Sequence, residues 1–297
     1  MTRTPDILCI GALLWDVIGH AVVPLYPGAD VPGRITRSPG GVAGNIAAAL
    51  ARHGLHPAIL GAVGADAEGT ELLAATEARG IDTAHVLRLA GRATDRYLAI
   101  EGPDGLMSAV ADAGALESAG DDILTPLADG RLGSATAPWA GPVCIDGNLT
   151  DAVLEGIAAS PLFARARLHV ASAGPGKAGR LAPFLSHPSA TLHVNRDEAA
   201  RLCTTPFADA AEAALGLTAR GAARAVVTDG AQMVADARGG DVVTALPPST
   251  AVARVTGAGD AFMAAHVAAC LRGAPRDAAL AAALAAATAH ISPEIAP

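Results

Sequence analysis

Two glycines and an aspartate near the C-terminal end form the stretch with the clearest chemical potential. The stretch reads Thr256-Gly257-Ala258-Gly259-Asp260, and an apolar helical pattern follows it as far as Gly273 and Pro275. This pattern predicts that a loop enters a helix here. The first N–H groups of a helix lack intrahelical partners and carry partial positive charge, and glycines let a phosphate approach them closely. A carboxylate beside such an anion site could take a proton from a hydroxyl that attacks the phosphate.

A simpler interpretation stays open, in which the glycines form a tight turn and Asp260 is a first-turn residue favoured by the helix dipole. Two other nucleotide-binding motifs fit less well. A dinucleotide fingerprint requires a glycine where Phe262 stands. A Walker loop requires a glycine five residues before its Gly-Lys pair and a serine or threonine directly after it. Gly176-Lys177 could be such a pair, but Ala171 and Ala178 occupy these two positions.

A second glycine-rich loop, Pro39–Asn45, leads into an alanine-rich helical pattern that ends at Gly54. Gly40 and Gly41 would allow a ligand to approach the backbone closely. The amide of Asn45 offers both a donor and an acceptor, which suits paired sugar hydroxyls. Ordinary loop-to-helix chemistry is the alternative for this loop as well.

Acidic side chains also follow two predicted strands. Asp16 comes shortly after the apolar run Ile7–Ile10, at a place where open α/β sheets bind ligands, although a turn residue is the alternative. Asn195 and Glu198 follow the run Ala190–Val194 and open a helix, so both could face a site from its first turn. Glu198 could hold a Mg²⁺-bound water, or it could be the acid of a capping box.

Apolar runs alternate with helical patterns in the second half of the chain, which predicts a parallel, doubly wound α/β sheet. Residues 17–38 lack helical periodicity and predict a pair of short strands. The segment around Gly102–Gly105 predicts a hairpin. These four strands could form a small sheet over the site. No boundary divides the chain, so one domain is expected over residues 1–297.

The composition excludes several classes of function. The chain has 297 residues, of which 51% are hydrophobic, and a net charge of −8 without a Lys/Arg cluster, so no nucleic-acid partner is expected. The four separated cysteines and the scattered histidines form no metal-ligand motif. The N-terminus lacks the apolar run of a signal peptide, and the apolar segment 278–289 is too short to span a bilayer. We therefore expect a cytoplasmic protein without membrane contact.

These motifs occur in the order typical of one family, and the sequence resembles the PfkB (ribokinase-like) carbohydrate and nucleoside kinases over nearly its whole length. The resemblance implies a three-layer α/β/α fold with a mostly parallel sheet. It also implies a β-sheet lid, formed by about 16–38 and 94–112, that often supports a homodimer. The implied reaction is phosphoryl transfer from ATP, with Mg²⁺, to a hydroxyl of a small sugar or nucleoside.

The resemblance also assigns roles to individual residues. Asp260 is expected to be the base, with Gly257, Ala258 and Gly259 as its anion hole. Asp16, Gly40, Gly41 and Asn45 are expected to contact sugar hydroxyls. The nucleotide side is expected to comprise Asn195, Thr228, Gly230 and Thr256, with Glu198 near Mg²⁺ through water.

Within the family, the lid segments look closest to pseudouridine kinases, so Thr94, Tyr97 and Asp112 are expected near a bound base. The alternatives are another nucleoside or free sugar, such as adenosine, inosine or ribose, and a catalytically weak nucleoside-binding relative. Two departures from the subgroup lie on the nucleotide side, where the stretch from Ala171 to Lys177 lacks its usual acid and Met233 replaces a glycine. Arg254 also stands where many family members have a K⁺-binding aspartate, which predicts little K⁺ activation.

Overall fold

A computed structural model describes residues 3–26, 28, 30–103, 105–251 and 256–292. The helices are α1 Val42–Arg52, α2 Ala67–Glu77, α3 Gly114–Ala119, α4 Asp151–Ala159, α5 Arg196–Cys203, α6 Ala210–Ala219, α7 Ala258–Leu271 and α8 Arg276–Ile291. The strands are β1 Ile7–Ile10, β2 Leu14–Ala21, β3 Gly33–Gly40, β4 Pro57–Leu60, β5 Ala62–Gly64, β6 Leu87–Leu89, β7 Arg96–Gly102, β8 Gly105–Asp112, β9 Pro142–Asp146, β10 Arg167–Ala171, β11 Ala190–Asn195, β12 Arg224–Thr228, β13 Val234–Arg238 and β14 Asp241–Ala245.

The main sheet has eight strands in the order β14-β13-β12-β11-β10-β9-β1-β4. Strands β4, β1, β9, β10, β11 and β12 run parallel, whereas β13 and β14 add an antiparallel edge. The chain leaves β1 towards β4 on one side and returns to β9 on the other. The carboxyl ends of β1 and β9 therefore border the kind of switch point where α/β sheets bind ligands.

Helices cover both faces of this sheet, because buried strands place successive apolar side chains on opposite faces. Leu8 and Ile10 face a core that includes side chains of α4, α5 and α6. Ile7 and Cys9 face a second core that α1 and α7 complete. The prediction of a three-layer, mostly parallel α/β/α fold is therefore confirmed. Within the described ranges, none of the helices combines the length and the apolar character that a bilayer crossing needs.

A separate four-stranded sheet has the order β3-β2-β7-β8, so both predicted strand pairs form and join each other. We call it the lid sheet. The continuous apolar run over residues 58–63 predicts a single strand, and this prediction is wrong. The run divides into β4 in the main sheet and β5, which pairs with β6. The break falls at Gly61, where a Cβ would lie 2.4 Å from the Gly11 carbonyl oxygen, so this close approach of two chain segments requires glycine.

Candidate active site

Asp260 lies in the first turn of α7, as the sequence predicted. Gly257 precedes the helix with a φ of 83°, in the left-handed region that glycine adopts without strain. The Asn45 side chain, from the first turns of α1, donates from Nδ2 to Asp260 Oδ2 over 3.1 Å. The two glycine-rich loops therefore deliver their polar side chains to the same place, because α1 and α7 pack against each other in one core.

Burial and neighbouring carboxylates raise the pKa of Asp260 to about 8. Desolvation is the largest cause, and the negative charges of Asp146 and Asp16 act in the same direction, whereas the hydrogen bond from Asn45 opposes them. A carboxyl whose pKa lies near neutral can accept a proton during a reaction and release it afterwards. The environment of Asp260 therefore matches the requirements of a general base.

Asp16 lies on β2 of the lid sheet, at the level of Tyr97 on β7. Burial raises the pKa of Asp16 to about 6, although the positive charge of Arg79 lowers it in part. Its carboxylate occupies the space beside Gly40, where a Cβ would lie 2.0 Å from Asp16 Oδ2. Glycine at position 40 therefore leaves space for the Asp16 carboxylate. The sequence had suggested a different reason, the close approach of a ligand to the backbone.

Gly41 has a φ of 85° and lies directly before α1. A Cβ at this position would lie 2.4 Å from the Ala12 carbonyl oxygen, which also accepts a hydrogen bond from the Gly44 N–H over 3.1 Å. The first turn of α1 is therefore held against the segment that follows β1. This contact fixes the position of Asn45, one residue further along the same turn.

Three predicted substrate contacts lie on or beside the lid sheet, and the structure places them differently. Tyr97 is half-buried, and burial together with the charge of Asp16 raises its pKa. Thr94 is only 1% exposed, and its hydroxyl donates to Asp66 Oδ1 over 2.6 Å while accepting from Gly64 N–H. Because this hydroxyl is committed to the loop, we do not retain Thr94 among the proposed substrate contacts. Asp112 is exposed at the end of β8.

The pair Asn195 and Glu198 forms a reciprocal capping box at the start of α5, so the local alternative is confirmed. Asn195 Oδ1 accepts from Glu198 N–H over 2.9 Å, and Glu198 Oε2 accepts from Asn195 N–H over 2.8 Å. The other carboxylate oxygen of Glu198 accepts from Gly174 N–H over 3.1 Å. Burial raises the pKa of Glu198. A capping role does not prevent a ligand role, since each oxygen has a second lone pair.

A cavity of about 130 Å³ joins Asp260 to some of the residues that the sequence predicted for a nucleotide. Its walls include the predicted residues Asn195, Glu198, Thr228, Gly259 and Asp260. The structure thus brings together residues from β11, α5, β12 and α7 that are far apart in the chain. Gly230 lies in the turn after β12 with a φ of 57°, and the Thr256 carbonyl oxygen lies 2.8 Å from His290 Nε2.

The fit of a Mg²⁺ ion depends on Glu198. Among the residues that the structure describes, no three His, Cys, Asp or Glu side chains are grouped to hold a metal ion directly. Glu198 and Asp260 nevertheless line the same cavity. Mg²⁺ usually keeps several waters and relies on one or two carboxylates and substrate phosphates. These carboxylates fit such a water-mediated arrangement.

The sequence reasoning missed Asp146, at the carboxyl end of β9. This carboxyl is 1% exposed and accepts from the N–H groups of Ala12, over 2.9 Å, and Asn148, over 2.7 Å. It joins the loops after β1 and β9 at the switch point, and its charge raises the pKa of Asp260. The signal was available, since Asp146 ends a buried apolar run.

The comparison with protein families gives one match that covers almost the entire chain. The model of the "pfkB family carbohydrate kinase" matches residues 4–294. The Arabidopsis thaliana ribokinase complexed with ribose and ATP has the same fold, with a TM-score of 0.78 and 20% identity over 99% of this chain and 95% of that one.

Two curated relatives from Escherichia coli (strain K12) are similar over parts of the chain. The "Uncharacterized sugar kinase YeiI" is 31% identical over 188 residues, which is 63% of this chain and 50% of that protein. A pseudouridine kinase is 35% identical over 100 residues, which is 34% of this chain and 32% of that protein. The chain thus matches half or less of the length of either relative. The family match and the shared fold agree, and the chain therefore belongs to the pfkB family of carbohydrate kinases.

Proposed function

We propose that this chain transfers the γ-phosphoryl group of ATP to the 5′-hydroxyl of a nucleoside, and that the nucleoside is pseudouridine. The observation that carries the proposal is the cavity that Gly259 and Asp260 line at the N-terminus of α7, with Asn45 hydrogen-bonded to the Asp260 carboxylate. Asp260 takes the proton of the attacking hydroxyl, and the N–H groups of Gly257, Ala258 and Gly259 stabilise the transferred phosphoryl group.

ATP and Mg²⁺ are assigned to the side of the cavity that α5 borders. Mg²⁺ would neutralise phosphate charge, and Glu198 would hold it through water. Asn195 and Thr228 would contact the nucleotide from the ends of β11 and β12, with Gly230 and Thr256 beside them. The matching ribokinase was solved with ATP, which supports this choice of phosphate donor.

The nucleoside is assigned to the space between Asp260 and the lid sheet. Asp16, Gly41 and Asn45 would contact the ribose hydroxyls, and Tyr97 would approach the base. Pseudouridine carries an extra ring N–H because its glycosidic bond is to carbon. The carboxylate of Asp112 could accept a hydrogen bond from this N–H. Asp112 is exposed in the absence of substrate, and a bound nucleoside that covered it would make this a buried contact, which can discriminate strongly between substrates. The similarity to the pseudouridine kinase supports this substrate class.

The lid sheet also supports the proposal of a homodimer. The strand register places Ile35, Ile100, Leu98 and Val110 on one face of the sheet. These side chains are 77%, 41%, 48% and 64% exposed. An apolar face of this kind would be covered if a second copy of the lid sheet packed against it. The occupant that we propose is this second copy.

The deciding experiment is a comparison of kcat/KM for pseudouridine, uridine, adenosine, ribose and fructose 6-phosphate at one pH with saturating ATP and Mg²⁺. We expect pseudouridine to give the highest value, and uridine a clearly lower one. A higher value for another acceptor would reject pseudouridine while leaving kinase activity in place. Binding of nucleosides without ADP release from any acceptor would instead indicate the catalytically weak relative.

A further inference from the structure

Lys177 is the only lysine of the chain, in which Lys and Arg together number 21. It lies in a 3₁₀ segment, Pro175–Phe184, that follows β10. The Walker motif around this residue does not fit, and the proposed function assigns it no role. A lysine differs from an arginine in carrying a compact charge on a flexible stem. The surroundings of Lys177 show what such a charge can do there.

The ammonium group of Lys177 is only partly used by the protein. Its Nζ donates to Asn148 Oδ1, in the loop after β9, over 2.7 Å. Within the described ranges of the chain it forms no ion pair with a carboxylate. An ammonium has three donors, so two of them are available to water or to a ligand.

The loop after β9 is also held by contacts that do not involve Lys177. Arg180, one turn further along the 3₁₀ segment, donates from Nη1 to the carbonyl oxygens of Asn148 and Leu149 over 3.3 and 3.0 Å. Asp146 accepts from the Asn148 N–H over 2.7 Å. A structural role in this loop therefore does not require the charge of Lys177.

The carboxyl ends of β9 and β10 lie between the two halves of the candidate site. In the main sheet these strands stand between β11, which carries Asn195, and β1, which leads to the lid sheet. Lys177 follows β10 and contacts the loop after β9, so it borders the path from the proposed ATP side to the proposed acceptor side. The segment after β10 reaches the cavity as well, because Ser172 lines the wall and the Gly174 N–H donates to Glu198 Oε1 over 3.1 Å.

Lys177 does not itself line the cavity, but its side chain can reach it. Three residues of a 3₁₀ segment span about 6 Å, which is the distance along the chain from Gly174 to Lys177. The flexible four-carbon stem of a lysine can bridge such a distance. The space beside Gly176 and Gly179 is open, since a Cβ at either position would meet no atom within 4 Å. An anion in the cavity could therefore draw the ammonium away from the neutral amide of Asn148.

The candidate site has an excess of negative charge. Glu198 and Asp260 line the cavity, whereas none of its described wall residues is a lysine or an arginine. Asp146 and Asp16 lie near enough to raise the pKa of Asp260. A triphosphate would add charge of the same sign, and it can bind there only if cations offset the repulsion. Besides a magnesium ion, Lys177 is the cation that the segment bordering the cavity can supply.

We propose that Lys177 leaves Asn148 and binds the terminal phosphate of the nucleoside triphosphate during transfer. This assignment rests on the proposed use of ATP. The terminal phosphorus loses its bond to the oxygen that ADP retains and gains a bond to the acceptor oxygen, whose proton passes to Asp260. Lys177 keeps its own protons and contacts the phosphoryl oxygens that take part in neither bond. It therefore offsets negative charge without taking the proton of the acceptor.

Two substitutions separate the charge of Lys177 from its stem. Lys177→Met keeps an unbranched stem without the charge, whereas Lys177→Arg keeps the charge. We would measure the Kd for ATP and for ADP by calorimetry with Mg²⁺, and the KM of the acceptor. We expect the Met variant to bind ATP about tenfold to a hundredfold more weakly, the usual effect of losing a hydrogen bond to a charged group, with little change for ADP or the acceptor. The Arg variant should retain most of the affinity for ATP, because a guanidinium also binds phosphate.

Two control variants disturb the loop after β9 and leave the ammonium in place. Asn148→Ala removes the acceptor that holds Lys177, and Arg180→Met removes the other side-chain contact of the 3₁₀ segment to this loop. We expect both changes to affect the melting temperature more than the affinity for ATP. Equal losses of ATP affinity in Asn148→Ala and Lys177→Met would overturn the proposal and give Lys177 a structural role.

The same measurements separate this inference from the proposed function. If the wild type binds ATP but Lys177→Met binds it equally well, the Lys177 contact is rejected and the kinase proposal survives. Equal losses of affinity for ATP and ADP in the Met variant would reject the terminal phosphate as the group in contact. If the wild type neither binds ATP nor releases ADP from it, the use of ATP is rejected and the Lys177 contact with it.

Discussion

Asp260 shows how burial and neighbouring side chains can change the acidity of a common carboxyl group. Asp146 and Asp16 repel its negative charge and burial removes water from it, whereas Asn45 donates a single hydrogen bond to the ionised form. The balance of these effects raises the pKa to about 8. The candidate site therefore contains three acidic groups that influence one another, of which Asp260 is proposed as the reacting one.

The substitution Asp260→Asn tests the proposed base. Because the side chains of Asp and Asn have nearly the same shape, we expect the variant to keep the fold. The loss of the base should lower kcat by about 10²–10⁴-fold. The folded-state pKa lies above the unfolded value near 3.8, so ionised Asp260 destabilises the fold increasingly as pH rises from about 4 to 8. The variant should therefore melt at a higher temperature than the wild type at pH 8, but not at pH 4. Near-normal turnover would exclude Asp260 as the base.

The pH dependence of the wild type provides a second test of Asp260. A base works in its deprotonated form, so kcat/KM should increase with pH and level off above about 8, the pKa of Asp260. A second, lower transition is expected near the pKa of Asp16, about 6. Rates should be measured between pH 5.5 and 9.5 at constant ionic strength. A profile that is flat from pH 6 to 9 would contradict the assignment.

The response to monovalent cations depends on Arg254, a position that lies outside the described residues. Many sugar kinases of this family have a K⁺-binding aspartate at this position, whereas a guanidinium has no lone pair to offer a cation. We expect similar activity in Na⁺, K⁺ and choline buffers of equal ionic strength. The substitution Arg254→Asp provides the matched comparison, and a several-fold requirement of the wild type for K⁺ would count against the prediction.

The first turns of α1 and α7 are the elements that bring Asn45 and Asp260 together. The turn of α1 is fixed by Gly41 and Gly44, which approach the Ala12 carbonyl oxygen closely. The turn of α7 begins at Gly257 with its left-handed φ. Since the two helices share a core, a shift of one moves Asn45 relative to Asp260. The proposed activity therefore depends on how these elements pack as well as on the reacting residues.

The substitution Gly40→Ala tests the link between β3 and β2. The added methyl group would lie 2.0 Å from Asp16 Oδ2, so the carboxylate must move away from its present position. We expect the KM for the acceptor to rise at least about tenfold, the effect of losing a hydrogen bond worth ~1.4 kcal/mol, while the KM for ATP changes little. Steady-state kinetics with each substrate varied in turn will show this.

The control for Gly40→Ala is Gly156→Ala. Gly156 lies on an exposed part of α4, and a Cβ there would meet no atom within 4 Å. This change should stabilise the helix by up to about 1 kcal/mol without changing either KM. An unchanged acceptor KM in the Gly40→Ala variant would show that Asp16 does not need its present position to bind substrate.

At the scale of the whole molecule, the site lies where the two sheets meet. The segment after β1 passes directly into β2, so the main sheet and the lid sheet share the loop from Gly11 to Leu13. Asp146 fixes this loop through Ala12 N–H. The main sheet thus supplies the rigid edge of the site, and the lid sheet supplies Asp16 and Tyr97. A movement of the lid sheet would change the proposed acceptor side more than the proposed ATP side.

The substitution Ile35→Glu tests whether the lid sheet forms a dimer. Ile35 is 77% exposed on the apolar face, and a charge in a buried interface is costly. We expect a dimer for the wild type and a monomer for the variant in analytical ultracentrifugation, with an unchanged melting profile of the monomer fold. The control is Leu246→Glu, at an equally exposed apolar residue that lies outside the lid sheet. A wild-type monomer would reject the proposed interface.

The sequence by itself determined the local features, because each depends on residues that are close together in the chain. Five buried strands of the main sheet, both strand pairs of the lid sheet, the entry of the loop before Asp260 into α7 and the capping box of Asn195 and Glu198 formed as their patterns predicted; the five strands are β1, β9, β10, β11 and β12. Alternating burial and helix capping operate over a few residues, so they can be recognised without knowledge of the fold. The family resemblance added the order of these motifs.

Only the tertiary structure decided which of these features meet. Asn45 and Asp260 are 215 residues apart, and their hydrogen bond follows from the packing of α1 against α7. The strand expected over residues 58–63 divides at Gly61 because another segment approaches there. Asp146 and Lys177 acquire their hydrogen-bond partners from other segments of the chain. Charge, burial and unpaired polar atoms depend on such long-range contacts, and no local pattern in the sequence records them.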